Sequence, residues 1–264
     1  MTASMDLLHI AFLLFAGIIG GAISTLAGGA AIITFPALLA TGISPVIASC
    51  SNLVALVPGN LLSGYYDRRQ LPPLGRSFAG MVAASIAGAL AGATLLMITP
   101  ERVFAALIPL LLGFATVLFA YSGRISAWLR ARGEARGEAR GDGDHNWGTI
   151  IGWLMPVSVY GGYFGAGLGV LVLGILSVGT GGDYRSANVT KNVVVGINSG
   201  VVAIFFAVNG VVAWPQALVM MAGVPIGAIL GSHIARVLPN EAARWLLVSI
   251  GALLTTAFAW RYWF

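Results

Sequence analysis

Long apolar runs, separated by short polar loops, follow one another along almost the whole chain. Several of them approach the ~20 residues that an α-helix needs to cross the hydrocarbon core of a bilayer. Charged residues make up only 9% of the 264 residues, against about 25% in a typical soluble domain, so the chain has too few polar groups for a water-exposed surface. The sequence therefore predicts an all-α polytopic membrane protein. Its apolar segments cover residues 7–23, 30–40, 45–65, 77–98, 102–121, 148–164, 167–178, 186–208, 215–236 and 242–260.

The second half of the chain repeats the pattern of the first. A shift of 140 residues places Gly29 on Gly169 and Ser51 on Lys191. Each half begins with a short pair of apolar segments that glycines interrupt, and a polar cluster follows inside the third segment. This repetition is typical of membrane transporters built from two related halves, in which broken helices form the binding site.

The fourth and fifth segments extend the repetition to the end of each half. Both fifth segments follow a Pro and an acidic residue, which suits the start of a helix. The sequence thus predicts two membrane repeats, residues 1–123 and 148–264, joined by a charged, flexible linker at 124–147. The fourth segments carry small residues four apart, a spacing that lets membrane helices pack closely. These small residues are Ala84, Gly88 and Gly92 in the first half and Gly223, Gly227 and Gly231 in the second.

Loop charges predict the orientation of the two repeats. The loop after the third segment contains Arg68, Arg69 and Arg76 in the first half, whereas its counterpart at 208–215 has no charged residue. With the linker in the cytoplasm, nearly all basic residues fall on the cytoplasmic side, as membrane proteins require. An odd number of crossings per half makes the repeats inverted. Re-entrant hairpins at the glycine-broken pairs are the alternative, and we favour inverted repeats.

The remaining composition predicts neither a cofactor nor a nucleic-acid partner. The net charge of +5 is explained by basic loops that orient the chain in the bilayer. Cys50 has no second cysteine to pair with, and His9, His145 and His233 lack the spacing of metal ligands. The sequence has no phosphate-binding loop, paired carboxylates or Ser/His/Asp arrangement, so it does not predict an enzyme. Its N-terminus has no basic residue ahead of the first apolar segment, which we therefore expect to be retained.

Polar residues and glycine breaks lie at equivalent places in the two halves and form a candidate substrate site. A glycine break allows close approach of the backbone, and the helix that follows presents unpaired N–H groups and a positive dipole end to an anion. Polar groups at membrane depth need a partner in protein, water or substrate. The candidate substrate-binding residues are Gly28, Gly29, Ser49, Ser51, Asn52, Gly167, Gly169, Asn188, Thr190, Lys191 and Asn192.

Each candidate residue also has a structural interpretation that involves no substrate. The glycines serve close helix packing in that interpretation, and the asparagines form hydrogen bonds between helices. Lys191 is the only lysine of the chain and lies inside an apolar segment. It either anchors an anion or extends its ammonium group to the cytoplasmic interface.

The polar clusters resemble a known family. The turn Gly42-Ile-Ser-Pro45 followed by Ala48-Ser-Cys-Ser-Asn52, together with Asn188-Val-Thr-Lys-Asn192, is similar to the sulfite exporter TauE/SafE family of bacterial membrane permeases. The resemblance covers the whole chain except the linker. The glycine-rich start of the family, Gly-x-Gly-Gly-Gly, is present in reduced form as Leu26-Ala-Gly28-Gly29-Ala. The resemblance implies export of sulfur-containing anions, such as sulfite or sulfoacetate, across the bacterial inner membrane.

Two functions of different kinds follow from these observations. The first is a secondary anion transporter that works by alternating access. The inside-negative potential drives an anion outward with about 2.3 kcal/mol per charge per 100 mV, so an exporter needs no coupling ion. The second is a membrane assembly or structural protein without transport activity. The sequence leaves open which anion is carried, and whether the unit is a monomer or a homodimer.

Overall fold

The chain is helical throughout the part that the structure describes. The computed structural model describes residues 6–27, 29–67, 76–137, 147–179, 184–234 and 240–264, and these ranges contain no strand. The helices are α1 (Leu7–Ala27), α2 (Ala31–Ala40), α3 (Pro45–Ala55), α4 (Val57–Asp67), α5 (Arg76–Ile98), α6 (Glu101–Gly137), α7 (Trp147–Tyr163), α8 (Leu168–Gly179), α9 (Tyr184–Val208), α10 (Trp214–Ile234) and α11 (Asn240–Trp263).

Seven stretches of the described helices are long and apolar enough to cross a membrane. This confirms the predicted all-α polytopic membrane protein. The helices α2 and α8 belong to none of these stretches and contain only 10 and 12 residues. At 1.5 Å per residue they are about 15 and 18 Å long, roughly half of the ~30 Å hydrocarbon core. The seven stretches are Leu7–Ser24, Pro45–Leu62, Ser77–Ile98, Glu101–Ile125, Ala187–Val208, Trp214–Gly231 and Arg244–Trp263.

Two element boundaries differ from the sequence-based expectation in the first half. The first segment was expected to end at residue 23, but α1 continues to Ala27, so only the second helix of the first pair is short. The third segment, expected as one helix, is divided at Leu56 into α3 and α4. Pro58 explains the division, because proline has no N–H to donate and its ring clashes with the carbonyl group four residues earlier.

The expected linker is also partly helical. Helix α6 continues to Gly137, well past residue 124, where the linker was expected to begin. Alanine, arginine and glutamate, which dominate this stretch, have high helix propensity, and this propensity outweighs the cost of the interspersed glycines. The rest of the expected linker, residues 138–146, lies outside the described residues.

Glycines bring α1 and α10 into direct backbone contact. A side chain added at Gly17 or Gly21 of α1 would overlap a main-chain carbonyl group of α10. The same holds in the other direction for Gly223, Gly227 and Gly231 of α10, which lie against the carbonyl groups of α1. Such close approach stabilises helix pairs in lipid, where apolar burial gives no net drive for association.

Helices α5 and α7 pack in the same manner. Gly88 and Gly92 of α5 lie against carbonyl groups of α7, and Gly162 of α7 lies against the carbonyl group of Ala89. The predicted packing role of the small-residue spacing is therefore confirmed in both fourth segments. The two crossings hold α1 and α7, and hence the short helices that follow them, in fixed positions.

An aromatic cluster fixes α2 at the centre of the molecule. Phe35 of α2 is fully buried, and its ring meets Phe164 edge-on at a centroid distance of 5.4 Å. Phe104 of α6 contacts the Phe35 ring at 6.4 Å and the Tyr163 ring at 5.7 Å. Edge-to-face pairs of this kind add about 0.5–1.5 kcal/mol beyond burial. The cluster therefore ties α2, from the first half, to the end of α7 in the second.

Candidate functional site

A cavity of about 120 Å³ lies between the two halves of the chain. One water molecule needs about 10–15 Å³ of such space, so the cavity has room for several waters or for a small oxoanion. Its described walls come from the starts of α2 and α8, the α3–α4 pair, α9, and single residues of α1, α7 and α10.

The start of α8 forms one wall of the cavity. The turn before it contains Gly165 and Gly167 with φ angles of +76° and +82°, which side chains rarely adopt. The Tyr160 hydroxyl donates a hydrogen bond to the Ala166 carbonyl at 2.6 Å and so fixes this turn. The first N–H groups of a helix lack acceptors within that helix, and its N-terminal end carries partial positive charge. The backbone from Gly165 to Gly169, at this electropositive end of the helix, lines the cavity.

The start of α2 meets the same cavity from the first half. Ala30 and Ala31 line it, and the N–H groups of Ile32 and Ile33 donate to the Gly29 and Ala30 carbonyls at 3.1 and 3.0 Å. The α8 start is built alike, because the Val170 N–H donates to the Gly167 carbonyl at 3.0 Å. Two helix starts, one from each half, therefore converge on one cavity.

Helix α9 supplies the charged wall. Lys191, Asn192, Val195 and Ser199 line the cavity from this helix, and Lys191 is the only charged residue among the described lining residues. The Lys191 ammonium group donates a hydrogen bond to Oδ1 of Asn188 at 2.8 Å. Its Cδ lies 3.9 Å from the point that a Cβ on Gly169 would occupy. The lysine stem therefore passes the start of α8, so both positive groups act on the same space.

The α3–α4 pair forms the wall that is related in sequence to α9. Leu53, Leu56 and Asn60 line the cavity, and a shift of 139 residues places them on Asn192, Val195 and Ser199, which line it from α9. The two walls thus present the same helical positions.

The register of the two walls corrects the shift of 140 that the sequence motifs favoured. At 139, Lys191 corresponds to Asn52 and not to Ser51. Polar residues lie next to one another in both clusters, so their types alone fix the register only to within one residue. The register is fixed by the cavity-lining residues, which in both walls are separated by three and then four residues.

Four of the predicted site residues line the cavity, and a fifth is hydrogen-bonded to one of these four. The four are Gly167, Gly169, Lys191 and Asn192, and Asn188 bonds to the Lys191 ammonium group. Gly29 packs instead against Phe119 and Leu247, within about 3.3 Å of the position of an added Cβ. Gly28 lies outside the described residues.

The other predicted residues are buried behind the walls. Ser51 accepts a hydrogen bond from the Ala213 N–H at 2.9 Å, which ties α3 to the segment before α10. Ser49 and Thr190 are buried and do not line the cavity. Asn52 is 1% exposed, and its side-chain carbonyl has no hydrogen-bond partner among the described residues.

Several polar residues at the cavity were missed by sequence reasoning. Asn60 donates a hydrogen bond to the Ser199 hydroxyl at 2.8 Å, and Ser24 lines the cavity from α1. Ser199 lies two turns after Asn192 on the same helix, so helical spacing from the predicted cluster was the signal that could have found it. The repeat then relates Ser199 to Asn60.

A second polar group lies behind the cavity, where α5, α7 and α9 meet. Asn198 donates to the Ser85 hydroxyl at 3.4 Å, and the Ser158 hydroxyl donates to the same oxygen at 3.4 Å. The Asn198 carbonyl oxygen lies 3.1 Å from the point where Gly161, a lining residue, would carry a Cβ. All three side chains are buried. In the described part of the chain, no three His, Cys, Asp or Glu side chains come together as metal ligands.

Comparison with known proteins gives a family and several relatives. The family described as Sulfite exporter TauE/SafE matches residues 13–258. The probable membrane transporter protein ORF9 of Sinorhizobium sp. is 31% identical over 258 residues, which cover 93% of this chain and 90% of the relative. The probable membrane transporter protein YfcA of Escherichia coli K12 is 25% identical over 251 residues, with 92% and 87% covered. A probable membrane transporter protein of Haemophilus influenzae is 25% identical over 266 residues, with 97% and 95% covered.

No solved structure matches the chain. The family match includes every helix that lines the cavity, and the relatives are covered over nearly their whole lengths. The chain belongs to the sulfite exporter TauE/SafE family and is a multi-pass membrane transporter.

Proposed function

We propose that this protein exports small sulfur-containing anions, sulfite or an organosulfonate such as sulfoacetate, across the bacterial inner membrane. The observation that carries the proposal is the convergence of two helix starts and Lys191 on one cavity. Helix N-termini attract anions through their N–H groups and dipole. A fixed ammonium group beside them adds a charge-assisted hydrogen bond to a sulfite or sulfonate oxygen, and such bonds are about twice as strong as neutral ones.

The rest of the cavity suits a small substrate with both polar and apolar parts. Asn60, Asn192 and Ser199 offer hydrogen-bonding groups, whereas Leu56 and Val195 offer apolar surface. A sulfite ion needs only the polar part. The carbon atoms of an organosulfonate would contact the apolar part. The proposed chemistry is binding and release without covalent change, which makes the protein a carrier and not an enzyme.

Alternating access is the proposed mechanism. The helix pairs α1–α10 and α5–α7 exchange with each other when the two halves are exchanged, which supports a two-fold relation between the halves around a central site. The loop charges, which differ in side between the halves, support inverted repeats. The membrane potential then drives export of the bound anion with about 2.3 kcal/mol per charge per 100 mV. Both walls of the cavity come from one chain, so one copy suffices, and a homodimer would contain two independent sites.

The test is flux in liposomes that contain only the purified protein. The vesicles are loaded with radiolabelled sulfite, and an inside-negative potential is imposed. We expect efflux above that of protein-free vesicles, and slowing by external sulfoacetate more than by taurine, whose ammonium group opposes the positive site. Absence of flux, together with a partner protein that co-purifies in fixed ratio, would instead support the assembly or structural role.

A further inference from the structure

Within the polar clusters, equivalent positions of the two walls differ at one place in whether they line the cavity. With the shift of 139, Cys50 corresponds to Val189, and both are buried, at 0% and 3% exposure. Leu53 corresponds to Asn192, and both line the cavity. Between these positions the match fails, because Lys191 lines the cavity and its counterpart Asn52 does not.

The surroundings of the Asn52 side chain leave part of its hydrogen-bonding capacity unused. Its amide carbonyl is buried without a hydrogen-bond partner in the part of the chain that the structure describes. Leaving such a group unsatisfied costs about 1–3 kcal/mol. A buried asparagine with this cost is explained if it has a partner in another conformation of the protein.

We propose that Asn52 is a second anion ligand, which enters the cavity wall when the transporter opens to the opposite side of the membrane. This inference rests on the proposed function and on its inverted repeats. In such a transporter, the first repeat adopts in one state the conformation that the second adopts in the other. Asn52 then takes the place that Lys191 has here, while Lys191 withdraws from the cavity wall. The anion meets a charged ligand on one side of the membrane and a neutral amide on the other.

The difference in charge has a direct consequence for transport. An ammonium group binds an anion more tightly than an amide, because its full positive charge adds Coulomb attraction to the hydrogen bond, whereas the amide offers only a dipole. The state in which Lys191 lines the cavity is therefore the high-affinity state. The state in which Asn52 lines it is the one that releases the anion.

Cysteine labelling from each side of the membrane tests the exchange of positions. Single cysteines replace Asn52, Leu53 or Lys191 in a Cys50→Ala background, and a charged, membrane-impermeant thiosulfonate reagent is added to inside-out or right-side-out vesicles. We expect Leu53→Cys to react from both sides. Lys191→Cys should react from one side only, and Asn52→Cys only from the opposite side. Unsubstituted protein, with Cys50 buried in both states, should not react from either side.

Two labelling results would overturn the inference. One is an Asn52→Cys variant that stays unreactive from both sides while Leu53→Cys reacts. The other is reaction of Asn52→Cys from the same side as Lys191→Cys. Neither result bears on whether the wild-type protein moves sulfite, so a failure of this inference is distinguishable from a failure of the proposed function.

A second variant keeps the inference testable if a cysteine at position 52 disturbs folding. Asn52→Leu has a similar shape and removes the unsatisfied carbonyl, so we expect its thermal stability to equal or exceed that of wild type. We also expect the half-saturating sulfite concentration to rise about tenfold, equivalent to about 1.4 kcal/mol, on the side where Asn52 is labelled. On the other side the change should stay below about twofold. An unchanged half-saturating concentration on both sides, or an equal rise on both, would contradict the role of Asn52.

Discussion

Asn60 and Ser199 donate and accept a 2.8 Å hydrogen bond across the cavity, and they are 139 residues apart. The same number of residues relates the rest of the two walls, so each of these residues is bonded to its own counterpart. Two equivalent positions can touch only close to the axis that relates them. In the proposed inverted arrangement, this bond therefore marks the pivot around which the two halves exchange conformations.

The Asn60–Ser199 bond should couple the stabilities of its two helices. We expect Asn60→Ala and Ser199→Ala each to lower the free energy of unfolding. The double variant should lose about 0.5–1 kcal/mol less than the sum of the single losses, which is the scale of polar contacts between membrane helices. Thermal unfolding of the four proteins in detergent measures this coupling. Strict additivity would mean that the two side chains act independently.

A larger side chain at Gly169 should fill part of the cavity and abolish anion binding without affecting folding. Gly169 has only the Lys191 stem near its missing side chain, at 3.9 Å. We therefore expect Gly169→Leu to fold normally and to lose anion binding and flux, because its side chain enters the space beside Lys191. Gly174→Leu is the matched control on the same helix, since nothing lies within 4 Å of that position. Its flux should equal that of wild type. Normal flux in Gly169→Leu would contradict the placement of the site.

Unlike Gly169→Leu, a leucine at a helix-crossing glycine should impair folding and flux together. A leucine at Gly227 overlaps the backbone of α1, so we expect Gly227→Leu to lower the free energy of unfolding by more than about 2 kcal/mol and to reduce expression and flux together. Gly152→Leu, at a position with open space around it, serves as control and should leave melting unchanged. Equal melting temperatures for the two variants would contradict the packing role of Gly227.

The orientation of the chain can be tested by limited proteolysis. The basic stretch at 124–147 is expected in the cytoplasm, so trypsin should cut it in inside-out vesicles and spare it in right-side-out vesicles. Mass spectrometry of the fragments locates the cut. Cleavage from the periplasmic side alone would contradict the predicted topology.

Much of the fold could be predicted because it depends on composition and spacing. The lengths of the apolar segments predicted the membrane helices. The small residues around Gly88 and Gly227 predicted the two close helix crossings. Local chemistry also explains one error, since Pro58 in the expected third segment divides it into α3 and α4. The extension of α6 to Gly137 was not predicted, because the charge of that stretch is typical of a flexible linker even though its residues have high helix propensity.

The candidate site was predicted less completely, because residue type does not reveal which way a side chain faces. Gly29 and Gly169 look alike in sequence, yet one packs against Phe119 and the other borders the cavity. Ser51 was expected to contact substrate, but its hydroxyl oxygen accepts a hydrogen bond from the Ala213 N–H. Such differences arise from tertiary contacts of residues that are far apart in sequence.

Sulfite binding to purified wild-type and Lys191→Gln protein tests the central claim most directly. Loss of the ammonium group should weaken binding by about 1.5–3 kcal/mol, or roughly one to two orders of magnitude in Kd. Lys191→Arg should lie between the two, because its forked guanidinium group is larger. Arg124→Gln, a substitution at an exposed residue outside the cavity, should leave Kd unchanged. An unchanged Kd in Lys191→Gln would contradict the account and would mean that Lys191 only extends its charge to the membrane surface.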